Sequence, residues 1–169
     1  MTITVTPCGE ACGATVSGLD LSEDLGEDLV ANIRTAWIEH GILAFPEQSI
    51  SDDDLERFTA YFGDFGEDPF VQPIPGREHI IAIQRNADEI SSIFAEAWHT
   101  DWSFQPNPPA GTCLYGITIP ESGGDTLFAN QYKALEEMPT ALRLKIESRH
   151  AIHSAAGGYA PEGLYGKAD

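Results

Sequence analysis

The chain opens on Thr2-Ile3-Thr4-Val5-Thr6, where polar and apolar side chains alternate with the period of a half-buried strand. A Gly-rich stretch through Gly13 and Gly18 follows. Between Glu27 and His40 the period changes: Leu29, Ile33, Ala36 and Trp37 fall at helical spacing, and Gly41 supplies the stop. Ile42-Leu43-Ala44-Phe45 is a short apolar run ended by Pro46, which predicts a strand. Ser51 followed by Asp52, Asp53 and Asp54 predicts a helix start, because a capping side chain and acidic charge both favour the unpaired N–H groups of a first turn. Leu55, Phe58 and Phe62 give that helix its apolar face, and Gly63 ends it.

Residues 65–76 are rich in Pro, Gly and acid and read as a loop. Ile80-Ile81-Ala82-Ile83 reads as a strand, and the polar residues 86–97 as a mobile loop. Residues 111–119 and 125–128 read as two further strands, split by a turn at Pro120-Glu121-Ser122-Gly123-Gly124. Two short helices are predicted next, one from Gln131 capped by Asn130, one from Ala141 capped by Thr140. Short strands with helices gathered in the first half give a β-rich α+β domain over residues 1–169, without the regular βαβ alternation of a doubly wound sheet.

Charge removes some partners. Asp and Glu number 27 against 9 Lys and Arg, a formal net charge of −18, which repels nucleic-acid phosphates and anionic lipid. No apolar run approaches the ~18 residues of a membrane span, and the first residues lack a signal peptide's basic start, so the default location is the cytoplasm. Self-association is left open. Cys8, Cys12 and Cys113 have neither disulfide-framework spacing nor a Cys/His cluster to complete a zinc site, and read as reduced thiols.

The chemistry concentrates in Trp98-His99-Thr100-Asp101-Trp102-Ser103-Phe104. In an extended chain, residues two apart point to the same side, so His99 and Asp101 can converge on one metal. An imidazole plus a carboxylate is two-thirds of the facial triad that holds non-haem Fe(II). Alone, a His-x-Asp pair is as well explained by an exposed His beside a solvated Asp.

Context decides between them. Trp98-His99-Thr100-Asp101, Phe104, Pro108-Pro109-Ala110-Gly111 and Pro120-x-x-Gly123-Gly124-Asp125-Thr126-Leu127-Phe128 together resemble the taurine dioxygenase (TauD/TfdA) family of Fe(II)- and 2-oxoglutarate-dependent dioxygenases. Ser17-Gly18-Leu19-Asp20, Leu43-Ala44-Phe45-Pro46 and the Phe62-Gly63 helix end resemble that family's first half. The resemblance implies a partial double-stranded β-helix, a jelly-roll-like core with flanking helices. It implies that His99 and Asp101 are two iron ligands and that the Thr126 hydroxyl binds a carboxylate of 2-oxoglutarate. Trp98 and Phe104 read as packing around the site. The implied reaction hydroxylates a small organic substrate with oxygen, while 2-oxoglutarate is oxidatively decarboxylated to succinate and carbon dioxide. No further catalytic side chain is assigned.

The chain also departs from the family. Where taurine-binding members use a His and a Tyr after the second helix, Asp68 and Val71 stand here, and their Asn before the iron ligands corresponds to Ala95. An Asp facing a sulfonate would repel it, so taurine is a poor substrate. Trp102 and Tyr159 fall where the family lines its pocket, which suggests a bulkier or more apolar substrate. The family's third ligand is a distal His followed by an Arg for the far carboxylate of 2-oxoglutarate. Only His150 and His153 come later here, and no Arg follows Arg149, so both His read as ordinary strand or loop residues. The expectation is the N-terminal part of a longer dioxygenase, inactive alone. Two alternatives compete with it: a non-catalytic remnant serving as a structural or partner-binding module, and a hydrolytic zinc site short of its third protein ligand.

Overall fold

The computed structural model describes residues 2–9, 11–68, 70–90 and 97–155. Its elements run β1 (Thr4–Pro7), β2 (Ala14–Ser17), α1 (Glu27–His40), β3 (Leu43–Ala44), α2 (Asp52–Ala60), α3 (Gln131–Glu136) and α4 (Thr140–Ile146). The fold divides into two units. The first comprises Met1–Phe62 and Leu114–His150, the second Gly63–Cys113 and Ala151–Asp169.

All three strands belong to the first unit, in the order β1-β2-β3. β1 and β2 form an antiparallel hairpin with Val5 opposite Val16 and Pro7 opposite Ala14. β2 and β3 run parallel, which requires a crossover, and α1 supplies it. β2 lies inside the stretch that looked Gly-rich. Its signal was a short alternation: Ala14 and Val16 are buried while Thr15 between them is not. Gly41 has φ 74°, a left-handed conformation natural to glycine, and its N–H closes α1 on the Trp37 carbonyl at 2.7 Å.

The core lies between α1, α2 and the loop before α1. Leu21, Ile33 and Phe58 are buried together, with Leu29, Leu43, Phe45 and Phe62 packed around them. Phe58 meets Phe45 and Phe62 edge-on, with ring centroids 5.3 and 5.2 Å apart. α2 begins as predicted. Ser51 accepts the Asp54 N–H at 3.2 Å, and Asp54 Oδ2 accepts the Ser51 N–H at 2.9 Å, a reciprocal capping box. Arg57 ties this helix to the loop before α1: Nη1 donates to Asp54 Oδ1 at 2.7 Å and Nη2 to the Leu21 carbonyl at 3.0 Å. Its Nε lies 3.2 Å from Asp24 Oδ1, an ion pair without hydrogen-bond geometry.

The second half differs more from expectation. Residues 80–83, 111–119 and 125–128 carry no strand pairing. A β-strand exists through its partner, and among the described residues none pairs with these segments. Their apolar side chains are correspondingly open to solvent, Ile117 at 88%, Ile119 at 72% and Leu127 at 70%. The turn chemistry is present even so: Gly123 and Gly124 both have positive φ, 79° and 73°, as the central pair of a type I′ hairpin turn requires. α3 is capped as predicted, Asn130 Oδ1 accepting from the Tyr132 and Lys133 N–H groups. At α4 the N-cap is Pro139, with no side-chain cap; Thr140 is the first helical residue rather than the cap.

Candidate functional site

His99, Asp101 and Trp102 sit on the 97–105 segment of the second unit, which is irregular backbone held by side-chain hydrogen bonds. His99 Nδ1 lies 2.8 Å from the Ala97 carbonyl. A carbonyl only accepts, so that contact places the ring hydrogen on Nδ1. Nε2 is thereby left with its lone pair, and it faces Asp101 Oδ1 at 3.0 Å. The other carboxylate oxygen, Oδ2, accepts from Thr112 Oγ1 at 2.7 Å.

Two lone-pair atoms directed at each other over 3.0 Å repel unless a cation is shared between them. A proton on Nε2 makes an imidazolium–carboxylate pair; a metal ion makes a chelate. The distance suits the second, since ligands at about 2.1 Å from a first-row divalent ion and at right angles to one another are about 3.0 Å apart. The carbonyl behind the imidazole and the hydroxyl behind the carboxylate are the outer partners that orient metal ligands. Both ligand side chains are half exposed, which leaves the remaining coordination directions open. The donor set of one imidazole nitrogen and one carboxylate oxygen fits Fe(II).

Trp102 follows with φ 52°, a left-handed conformation that for a bulky residue costs on the order of 1–3 kcal/mol and persists only where neighbours enforce it. Its ring meets Phe104 edge-on at 5.8 Å, and Phe104 meets Phe70 at 5.9 Å, forming an aromatic row. Val71, next in the chain, is partly buried. Asp68 has a local task instead of facing outward. Its Oδ1 accepts the N–H groups of Phe70 and Val71 at 2.7 and 3.0 Å, so the carboxylate shapes its own loop and its expected repulsion of a substrate anion is diminished.

Thr126 lies in the first unit, exposed and outside any regular strand. Ala95 and Tyr159 fall outside the described residues. His150 closes the second segment of the first unit. His153 lies in the second, where its Nδ1 is 2.6 Å from Ser103 Oγ. Among the described residues no three His, Cys, Asp or Glu side chains cluster as a metal site. Sequence reasoning missed Thr112 and Ser103. Neither has a local signal, because each is defined by a partner 11 and 50 residues away along the chain.

This site belongs to a known class of protein. Residues 4–165 match the family described as "Taurine catabolism dioxygenase TauD, TfdA family", and the chain belongs to that family. It is 36% identical over 143 residues to an alkylsulfatase of Acinetobacter baylyi, covering 84% of this chain and 44% of that protein. It is 31% identical over 157 residues to the alpha-ketoglutarate-dependent sulfate ester dioxygenase of Pseudomonas putida, covering 92% and 51%. The crystal structure of a taurine dioxygenase from Burkholderia xenovorans matches with a TM-score of 0.67 at 29% identity, over 86% of this chain and 51% of that one. The chain thus spans about half the length of the curated relatives it matches. The family's proteins are alpha-ketoglutarate-dependent dioxygenases, which use Fe(II) and 2-oxoglutarate. Among the described residues no helix is long and apolar enough to cross a membrane.

Proposed function

We propose that this chain carries the first two iron ligands and a co-substrate contact of an Fe(II)- and 2-oxoglutarate-dependent dioxygenase. The observation that carries the reading is the 3.0 Å approach of His99 Nε2 to Asp101 Oδ1, with Nδ1 occupied by a carbonyl. Thr126 binds a carboxylate of 2-oxoglutarate through its hydroxyl, and the family's jelly-roll-like core is the fold in which these residues operate. When bound, the iron and co-substrate supply the oxidising power for hydroxylating a small organic molecule with oxygen. This chain's residues hold the ion, fix the imidazole tautomer and present an apolar wall to the substrate.

The aromatic row through Trp102, Phe104 and Phe70 supports a substrate with a bulky apolar body. The two relatives named for alkyl sulfate and sulfate ester chemistry favour an alkyl sulfate over taurine. Asp68, Val71 and Ala95 replace the polar side chains that taurine-binding members use, and a polar group left unpaired on binding costs affinity steeply.

The test is calorimetric titration of the 169-residue chain with Mn(II), a divalent stand-in that avoids oxidation. Binding that is lost in both His99→Ala and Asp101→Ala supports the reading; binding unchanged in both refutes it. Thr126→Val is expected to weaken 2-oxoglutarate binding to the Mn(II)-loaded chain and to leave Mn(II) binding itself unchanged. Succinate release across taurine, alkyl sulfates and aryloxy acids, measured on a form that turns over, tests the substrate class, and taurine emerging as the best substrate refutes it.

A further inference from the structure

The segment that carries both candidate ligands has no helix or ladder to hold its shape, yet it holds Trp102 at a φ that a bulky side chain rarely adopts. Something outside the segment must fix it. Three side-chain hydrogen bonds within the second unit do so. Thr112 Oγ1 holds Asp101, Gln105 Nε2 donates to the Glu67 carbonyl at 3.0 Å, and Ser103 Oγ meets His153 Nδ1 at 2.6 Å. The first engages a candidate ligand directly. The third is the shortest and spans 50 residues, joining the chain beyond α4 to the residue that follows Trp102.

We propose that His153 is a positioning residue of this site: through Ser103 it holds the 101–105 turn in the conformation that points Asp101 at His99. The inference rests on the metal-binding reading of His99 and Asp101 for its functional meaning, but the mechanical part stands by itself. His153 is exposed, so its ring contributes little by packing, and its one recorded partner is Ser103. The described residues place no third ligand beside His99 and Asp101, so His153 acts on the site through the turn and not by binding the ion. Ser103 stands two residues from Asp101, with Trp102 between them. Releasing the Ser103 hydroxyl frees Trp102 to relax toward negative φ, and that rotation swings the Asp101 carboxylate relative to His99.

The experiment compares the parent chain with His153→Ala, His153→Asn, Ser103→Ala and the His153→Ala/Ser103→Ala double variant. Asn can set a polar atom close to where Nδ1 stands, so it is the conservative replacement. Two quantities are read: the Mn(II) dissociation constant, and amide hydrogen exchange at Gln105 in the metal-free chain, whose N–H bonds the Trp102 carbonyl at 2.8 Å and reports the turn itself. His153→Ala is expected to weaken Mn(II) binding about tenfold, as loss of an outer partner does, and to speed Gln105 exchange. Asn restores both, and the double variant is no worse than either single one, because the two changes break one hydrogen bond. The midpoint of thermal unfolding stays within a degree or two in all four variants, which separates positioning from general destabilisation. Unchanged Gln105 exchange in His153→Ala, or failure of Asn to restore it, overturns the proposal. If Asp101→Ala binds Mn(II) as the parent does, the metal reading fails, and Gln105 exchange still decides whether His153 holds the turn.

Discussion

Thr112 Oγ1 donates to Asp101 Oδ2 at 2.7 Å, and this bond leaves Oδ1 as the oxygen that faces His99 Nε2. A carboxylate with neither oxygen fixed rotates between equivalent orientations, so the hydroxyl selects the one that chelates. Thr112→Val keeps the shape and removes the donor. It should weaken Mn(II) binding about tenfold, within the range found when outer partners of metal ligands are removed. Thr112→Ser keeps the donor and should bind nearly as the parent does. Equal affinity of the Val and Ser variants would show that the bond is incidental.

Burial separates the two ends of the chain energetically. Ile33 on α1 is 1% exposed and faces Leu21 and Phe58, so Ile33→Ala should cost about 2–5 kcal/mol by lost transfer energy and an unfilled cavity. Ile117, equally apolar, is 88% exposed, and Ile117→Ala should change stability by less than about 0.5 kcal/mol. Urea titrations of both variants check the contrast. A large loss for Ile117 would mean that this side chain is buried in solution against something the described residues do not include.

The same contrast explains how much of the molecule was legible in its sequence. α1 and α2 were readable end to end because their signals are local: Gly41 at a stop, Ser51 and Asp54 at a start, and apolar side chains at helical spacing between. The hairpin partner β2 was hidden because Gly13 and Gly18 flank a strand of only four residues. Residues 111–119 have strand-like composition but no pairing, since composition states a preference while a ladder needs a second strand. At the site, the pair of His99 and Asp101 was legible from their spacing. Thr112, Ser103 and His153 were not, because a hydrogen bond between residues far apart leaves no mark in either one's neighbours.

The cap of α2 provides a test in the well-packed unit. Ser51→Ala removes the side chain that accepts the Asp54 N–H and leaves the first turn with an unpaired donor. The expected cost is about 1 kcal/mol, and Ser51→Thr or Ser51→Asp should recover most of it. Thermal unfolding of the three variants measures this. Recovery by neither would place the effect in packing and not in the cap.

The pH dependence of the same cap follows from Asp54. Hydrogen bonds from the Ser51 hydroxyl and the Ser51 N–H, then from Arg57, hold its carboxyl down to about 2, below the ordinary 3.8. The folded state therefore binds a proton less readily than the unfolded chain, and stability contributed by the ionised group rises with pH through this window. That contribution is complete above the unfolded value near 3.8 and is lost as pH falls through about 2. Many other carboxylates titrate over the same range, so the parent's own acid unfolding does not isolate the effect. Asp54→Asn does, because its side chain stays neutral at every pH. The difference in stability between parent and Asp54→Asn should be constant from pH 6 to about 4, then narrow steadily towards pH 2. Denaturant titrations of both proteins at intervals of half a pH unit follow it. A difference that stays constant down to pH 2, or widens in acid, would contradict a carboxylate held by Ser51 and Arg57 at the head of this helix.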